Sequence, residues 1–200
     1  MDTKFLGDFD NSTIRGRYYD FNNHPELIRE VLEDFKEWEH FQGVQLFYEM
    51  LEWVNGPASH FETNDCTMKG PHPNAIKAVS SPLTGGGRLM FFFRELRFNL
   101  SEEKVSWLRE MMQYILESLP GNDFTYAQLC FFETLFTELP GTELEKIGKE
   151  VVIEFWAWGG TNEEVMSNFK LIVSNILSAF KQLSAEIRES LDDSQKAVSV

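Results

Sequence analysis

The chain has two cysteines and four histidines in 200 residues, too few for a disulfide framework. Cys66 and Cys130 are therefore read as free thiols, and the cytoplasm is the expected compartment. No apolar run approaches the length needed to span a bilayer. Met1-Asp2-Thr3-Lys4-Phe5 has neither the basic start nor the apolar stretch of a secretory signal. Bases are scarce as well: lysine and arginine number 18 against 32 acids, for a formal charge of −14 and a pI near 4.7. Such a surface repels phosphate backbones and anionic membranes, so neither nucleic acid nor a membrane is an expected partner.

Signature motifs are missing too. There is no Gly-x4-Gly-Lys-Ser/Thr phosphate loop and no Gly-x-Gly-x-x-Gly dinucleotide turn; Gly85-Gly86-Gly87 precedes a strand-like run, whereas those loops follow one. A Gly-x-Ser-x-Gly elbow and an EF-hand loop are likewise absent. No cofactor is implied, and the expectation is that the protein is not an enzyme.

What the sequence does contain is apolar residues at 42%, with 18 phenylalanines, five tryptophans and five tyrosines. That is enough for one sizeable core, and residues 1 to 190 are read as a single domain. The last stretch, 191 to 200, has no period and is expected to fray.

Residues 13 to 21 are β-branched and aromatic, and predict a strand. Asn23, Pro25 and Glu26 then predict a capped helix start, after which Leu27, Val31, Phe35, Trp38 and Phe41 recur on one helical face. Gly43 is read as an interruption before the period resumes through Phe47, Met50, Leu51 and Val54. Arg88 to Asn99 predicts a strand. Ser101 caps a helix with Val105, Leu108, Met112 and Ile115 in its stripe. Residues 124 to 139 are apolar nearly all round and fit a buried strand or helix; their phenylalanine, threonine and tyrosine favour strand. In Val151 to Trp158 the alternation puts Val151, Ile153, Phe155 and Ala157 on one side, and Glu154, Trp156 and Trp158 on the other. Thr161 and Glu164 form a capping box before a long helix striped by Val165, Phe169, Ile172, Ile176, Phe180, Leu183 and Ile187.

Three strand-then-helix units result, at 13 to 53, 88 to 119 and 151 to 187. They predict a two-layer α+β sandwich, with a mixed or antiparallel sheet and amphipathic helices on one face. Between the first two units, residues 55 to 87 are rich in Gly, Pro, Asn and Ser. They read as one long inserted loop, of a length that is usually functional or disordered.

That loop holds His60, Asp65, Cys66 and His72. The spacing His-x5-Cys-x5-His offers zinc-compatible ligands but matches no standard zinc pattern. The same residues could make a cysteine nucleophile with a histidine base, although the acids beside Cys66 should raise its pKa. A plain structural loop is the simpler account. Arg88, Arg94 and Arg97 are the densest basic cluster, and ion pairs with nearby acids such as Glu95, Glu102 and Glu103 explain them most simply.

The excess acid sits mainly in the first helical region and around Glu133 to Glu154. Glu30, Glu33, Asp34 and Glu37 form an acidic helix face, while Glu154, Trp156 and Trp158 share a strand face that could be a recognition surface. Strand faces of that kind are more often covered by a helix. The functional expectation is an acidic protein-binding module of the inhibitor or immunity type, which neutralises a basic protein such as a toxin or nuclease. An enzyme or metal protein working through Cys66, His60 and His72 is the alternative, and the aromatic content leaves room for an apolar homodimer surface.

Overall fold

The structure is a computed structural model, and it describes residues 5–11, 14–76, 78–136 and 146–198. In chain order the elements are β1 (Phe5–Asn11), β2 (Ile14–Tyr19), α1 (Leu27–Val31), α2 (Glu33–Lys36), α3 (Gln42–Val54), β3 (Phe61–Pro73) and β4 (Leu83–Phe93). A 3-10 turn at Leu96–Leu100 leads to α4 (Glu102–Ser118), β5 (Thr125–Phe136), β6 (Lys146–Gly159) and α5 (Asn162–Val198). β1 and β2 form an antiparallel ribbon. The main sheet is a four-stranded antiparallel sheet in the order β3-β4-β6-β5, so the α+β class is as the sequence predicts.

The alternation along β6 decides how the layers stack. Val151, Ile153, Phe155 and Ala157 are buried against the helices, together with Phe61, Leu89, Phe91 and Phe93 from β3 and β4. α5 supplies Val165, Phe169, Val173, Ile176, Phe180 and Leu183, and contacts both α3 and α4. Rings lock the two layers together: Phe155 meets Phe47 and Phe169 at centroid distances of 5.6 Å, and Phe180 meets Phe91 at 4.7 Å. Offset and edge-on aromatic pairs add to the burial of the rings themselves. Among the described residues no helix is long and apolar enough to cross a membrane.

The predicted caps of the later helices hold. Ser101 accepts from Lys104 N, and Thr161 Oγ1 accepts from Glu164 N at 3.3 Å. The Glu164 carboxylate reaches Gly160 N at 2.7 Å, one residue before the cap, and satisfies a backbone donor there.

Three expectations need correction. The stretch 55 to 87 is not a loop: after a turn at 55 to 60 it folds into the β3–β4 hairpin, whose tip lies between Pro73 and Leu83. Pro71 and Pro73 are tolerated because β3 is an edge strand, where a missing N–H breaks no ladder. The glycines serve close approach rather than turns. A Cβ on Gly70 would fall 2.1 Å from the Trp38 indole, and one on Gly86 would fall 2.3 Å from Phe155 O on the neighbouring strand. Second, β4 starts at Leu83 and ends at Phe93, earlier at both ends than the predicted 88 to 99.

Third, the first helical region is not one helix. Leu32 leaves helical geometry at φ −84°, ψ 76°, separating α1 from α2, and Phe41 is extended before α3 begins. Asn23 caps no helix but bonds to Asp20, and Gly43 lies inside α3. Residues 191 to 198 belong to α5, and 199 and 200 lie outside the described residues. The strand favoured for 124 to 139 is found as β5 at Thr125–Phe136, and 137 to 139 lie outside the described residues.

Gly86→Ala should destabilise the fold by about 1–3 kcal/mol, because backbone on a central strand pair must shift. Gly121→Ala, where a Cβ meets nothing within 4 Å, should stay within about 0.5 kcal/mol of the parent. Urea unfolding of the two variants separates close packing from generic loss of a glycine.

Candidate functional site

With the helices all on one face, strand register assigns the residues of the other. Thr84, Gly86, Arg88 and Met90 of β4 stand opposite Trp158, Trp156, Glu154 and Val152 of β6. Tyr126, Gln128 and Cys130 of β5 flank the same β6 residues. This outer face has a polar half and an aromatic half.

The polar half is held by internal pairs. Arg88 forms an ion pair with Asp65, Gln128 Nε2 donates to Glu154 at 2.7 Å, and Asn64 Nδ2 donates to Glu150 at 2.6 Å. Arg94 pairs with Glu62 and Arg97 with Glu95, so the three arginines are consumed by ion pairs as the sequence suggests. Glu150 is 1% exposed, and among the described residues its buried Oε2 has no hydrogen-bond partner. Burial pushes its carboxyl up to about 7, against the opposing effect of bonds from Asn64 and Thr134.

The aromatic half is a shallow groove of about 410 Å³, lined by Ile76, Val79, Asp123, Thr125, Tyr126, Trp156 and Trp158. Its floor is the Tyr126–Trp156 pair, with ring centroids 5.9 Å apart and planes 28° from parallel. Tyr126 is 54% exposed, while Trp158 is 5% exposed and its Nε1 has no hydrogen-bond partner. Across β4 the residue directly opposite Trp156 is Gly86, which has no side chain to lay against the indole. One wall is the hairpin tip, organised by Asn74. Its Nδ2 lies within bonding distance of the carbonyls of Ile76, Val79 and Ser81, and its Oδ1 accepts from Ile76 N at 2.9 Å. The other wall is the turn after α4. There Asn122 is tied to Asn168 of α5 and accepts from Phe124 N, fixing Asp123 between them.

The expectation that a helix covers Trp156 and Trp158 is therefore overturned. The helices pack on the opposite face, and what meets the tryptophans is the hairpin tip and Tyr126. A tip that the sequence disguises as part of a loop made this wall hard to foresee; Asn74 directly after Pro73 was the one local signal.

The remaining candidates are dispersed. Glu30, Glu33 and Glu37 are exposed on α1, α2 and the turn after it, whereas Asp34 does structural work. Its Oδ2 accepts from Thr67 Oγ1 and Met68 N, both at 2.9 Å, and so satisfies the open edge of β3. β4 separates that edge from Glu154, Trp156 and Trp158 on β6. His60 precedes β3 and His72 lies near its far end, a separation of roughly 40 Å along an extended chain of this length. Cys66, between them, packs against the helical core, and burial first, then Asp65 and Asp34, drive its thiol pKa strongly upward. His72 Nδ1 is occupied by Gly70 O at 2.8 Å, and burial beside Arg188 and Arg94 holds His60 below its ordinary value. The structure thus does not assemble Cys66, His60, His72 and Asp65 into one constellation. Among the described residues no group of three or more His, Cys, Asp or Glu is placed to hold a metal.

Two measurements probe this face. Asn74→Ala should cost about 1–3 kcal/mol by leaving tip carbonyls unpaired, and should red-shift tryptophan emission as the wall over Trp156 and Trp158 loosens. Glu150 binds its proton more tightly folded than unfolded, so it stabilises the protein at low pH, and that contribution is lost as pH rises towards about 7. Glu150→Gln should remove that part of the pH slope, leaving a variant more stable than the parent at pH 8 by up to roughly 3 kcal/mol. Parallel urea titrations from pH 5 to 8 read the difference directly.

Comparison of the chain with protein-family models, with curated proteins and with solved structures finds no match to any of them.

Proposed function

We propose that this chain is a protein-binding module for a basic partner, of the inhibitor or immunity type, and that it docks through the outer face of its sheet at Trp156, Trp158 and Tyr126. The observation that carries this reading is the solvent-open aromatic groove on the face away from the helices. Tryptophan and tyrosine are the residues most often found at the energetic centre of protein interfaces. A preorganised aromatic pair on adjacent strands, Tyr126 exposed and Trp156 half-buried, costs little entropy on binding, because both rings are already stacked and walled.

Charge gives the partner its sign. A net charge of −14, with Glu30, Glu33 and Glu37 exposed and without ion-pair partners among the described residues, speeds encounter with a cationic surface. The acids on α1 and α2 act on the rate of association, while the groove supplies the contact that persists. Asp34 is excluded from the docking set because its carboxylate is committed to β3.

The test is capture from the native host with the immobilised full chain, followed by identification of the retained proteins. A retained protein of high pI should be lost on Trp156→Ala by tenfold or more in affinity, on the order of a hot-spot truncation. Replacing Glu30, Glu33 and Glu37 together by Gln should instead slow association and flatten its salt dependence, with dissociation little changed. A retained acidic protein, or capture indifferent to both changes, would overturn the proposal.

A further inference from the structure

Resting on that reading, we infer that the groove is a socket for an arginine side chain of the partner, with the guanidinium laid on the Tyr126–Trp156 pair and paired to the Asp123 carboxylate. The stacked Tyr126–Trp156 pair, its planes 28° from parallel, presents an aromatic face to a planar cation, and arginine stacks on such faces where lysine presents only a point charge. Asp123 is the carboxylate in the lining and has no ion-pair or hydrogen-bond partner among the described residues. It is held in place from both sides, since Asn122 donates to Asn168 Oδ1 at 2.9 Å and accepts from Phe124 N at 2.9 Å. Asn168 in turn donates to Trp158 O at 2.7 Å, which ties the acidic wall to the strand that carries the floor.

The surroundings favour a cation further. Glu154 lies two residues from Trp156 on the same face, and Glu163 is exposed at the start of α5 close after Trp158 in the chain. The arginine of the outer face, Arg88, is already paired with Asp65. Lys77, in the hairpin tip, is outside the described residues. Ile76 and Val79 on the opposite wall are apolar and suit the methylene stem of an arginine, which buries its carbons while the head keeps its charge partner. A neutral aromatic ligand would leave Asp123 desolvated without compensation, and a carboxylate ligand would be repelled by it.

The experiment titrates the full chain with acetyl-Gly-Arg-Gly-amide, its citrulline counterpart, which keeps shape but lacks charge, and its lysine counterpart. The readout is the indole N–H resonances of the five tryptophans, assigned by single Trp→Phe replacements. The arginine peptide should shift the Trp156 resonance selectively, and the citrulline peptide should bind about tenfold more weakly, with lysine in between. Asp123→Asn should weaken the arginine peptide about fivefold without altering the rest of the spectrum. Equal binding of arginine and citrulline peptides, or arginine binding unchanged in both Asp123→Asn and Tyr126→Ala, would overturn the socket. If the socket fails while Trp156→Ala still abolishes capture of a basic protein, the docking reading stands and only its chemistry is wrong; if capture survives Trp156→Ala, the docking reading itself is lost.

Discussion

The arrangement of the outer face of the main sheet follows from the stacking of phenylalanines on its helical face. Phe155 at the centre of β6 touches Phe47 from α3 and Phe169 from α5, while Phe61 and Phe91 close on Phe180 further along α5. These rings draw α3 and α5 onto one face of the sheet, where α4 joins them. A strand alternates its side chains, so committing odd-numbered residues of β6 to that layer commits Glu150, Val152, Glu154, Trp156 and Trp158 to the other. Among the described residues the core helices lie on the other face.

The outer face is consequently stabilised by different means in its two halves. Where charged residues meet, they pair across strands: Arg88 with Asp65, Asn64 with Glu150, Gln128 with Glu154. Where aromatics meet, they stack, and a hairpin tip bound up by a single asparagine leans over them. The sheet edges also differ. β3 is closed by the Asp34 carboxylate on Met68 N, by Trp38 lying against Gly70 and by two prolines, devices that block further pairing. β5 carries a single charge, Glu133, along its length and has no proline.

Periodicity made the helical layer legible, because amphipathic stripes such as Val165 to Ile187 depend only on which residues avoid water. The same reasoning separated the two faces of β6. It failed at β3 and β4, since glycine and proline carry two meanings. In a turn they set backbone angles; in a strand, Gly70 and Gly86 make room for an indole and a neighbouring carbonyl, and Pro71 sits where no ladder bond is needed. Both meanings look alike until the partner across the strand is known. The break at Leu32 had no local signal at all, for a leucine is at home in a helix, and its geometry accompanies the seating of Phe35 in the core and Asp34 on β3. Nor could the burial of Glu150 be foreseen, because alternation tells which face a carboxylate takes but not whether that face is wet.

The separation between the acidic helices and the aromatic groove is physically consistent with one binding event. Strands lie about 5 Å apart, so the β3 edge and β6 are roughly 10 Å apart across the sheet, comparable with the screening length of about 8 Å at physiological salt. Charges at that remove contribute little to a contact already made, but they shape the potential that an approaching cation meets. Affinity, by contrast, requires desolvated surface, and an apolar floor with one carboxylate at its rim supplies it without burying several like charges together. Placing Glu30, Glu33 and Glu37 inside the groove would have strengthened attraction at long range and cost more in dehydration on closing. In the proposed reading, dividing the two tasks between the acids of the α1–α2 region and β6 avoids that conflict, and the division follows from a fold in which the helices occupy one face and leave the tryptophans on the other.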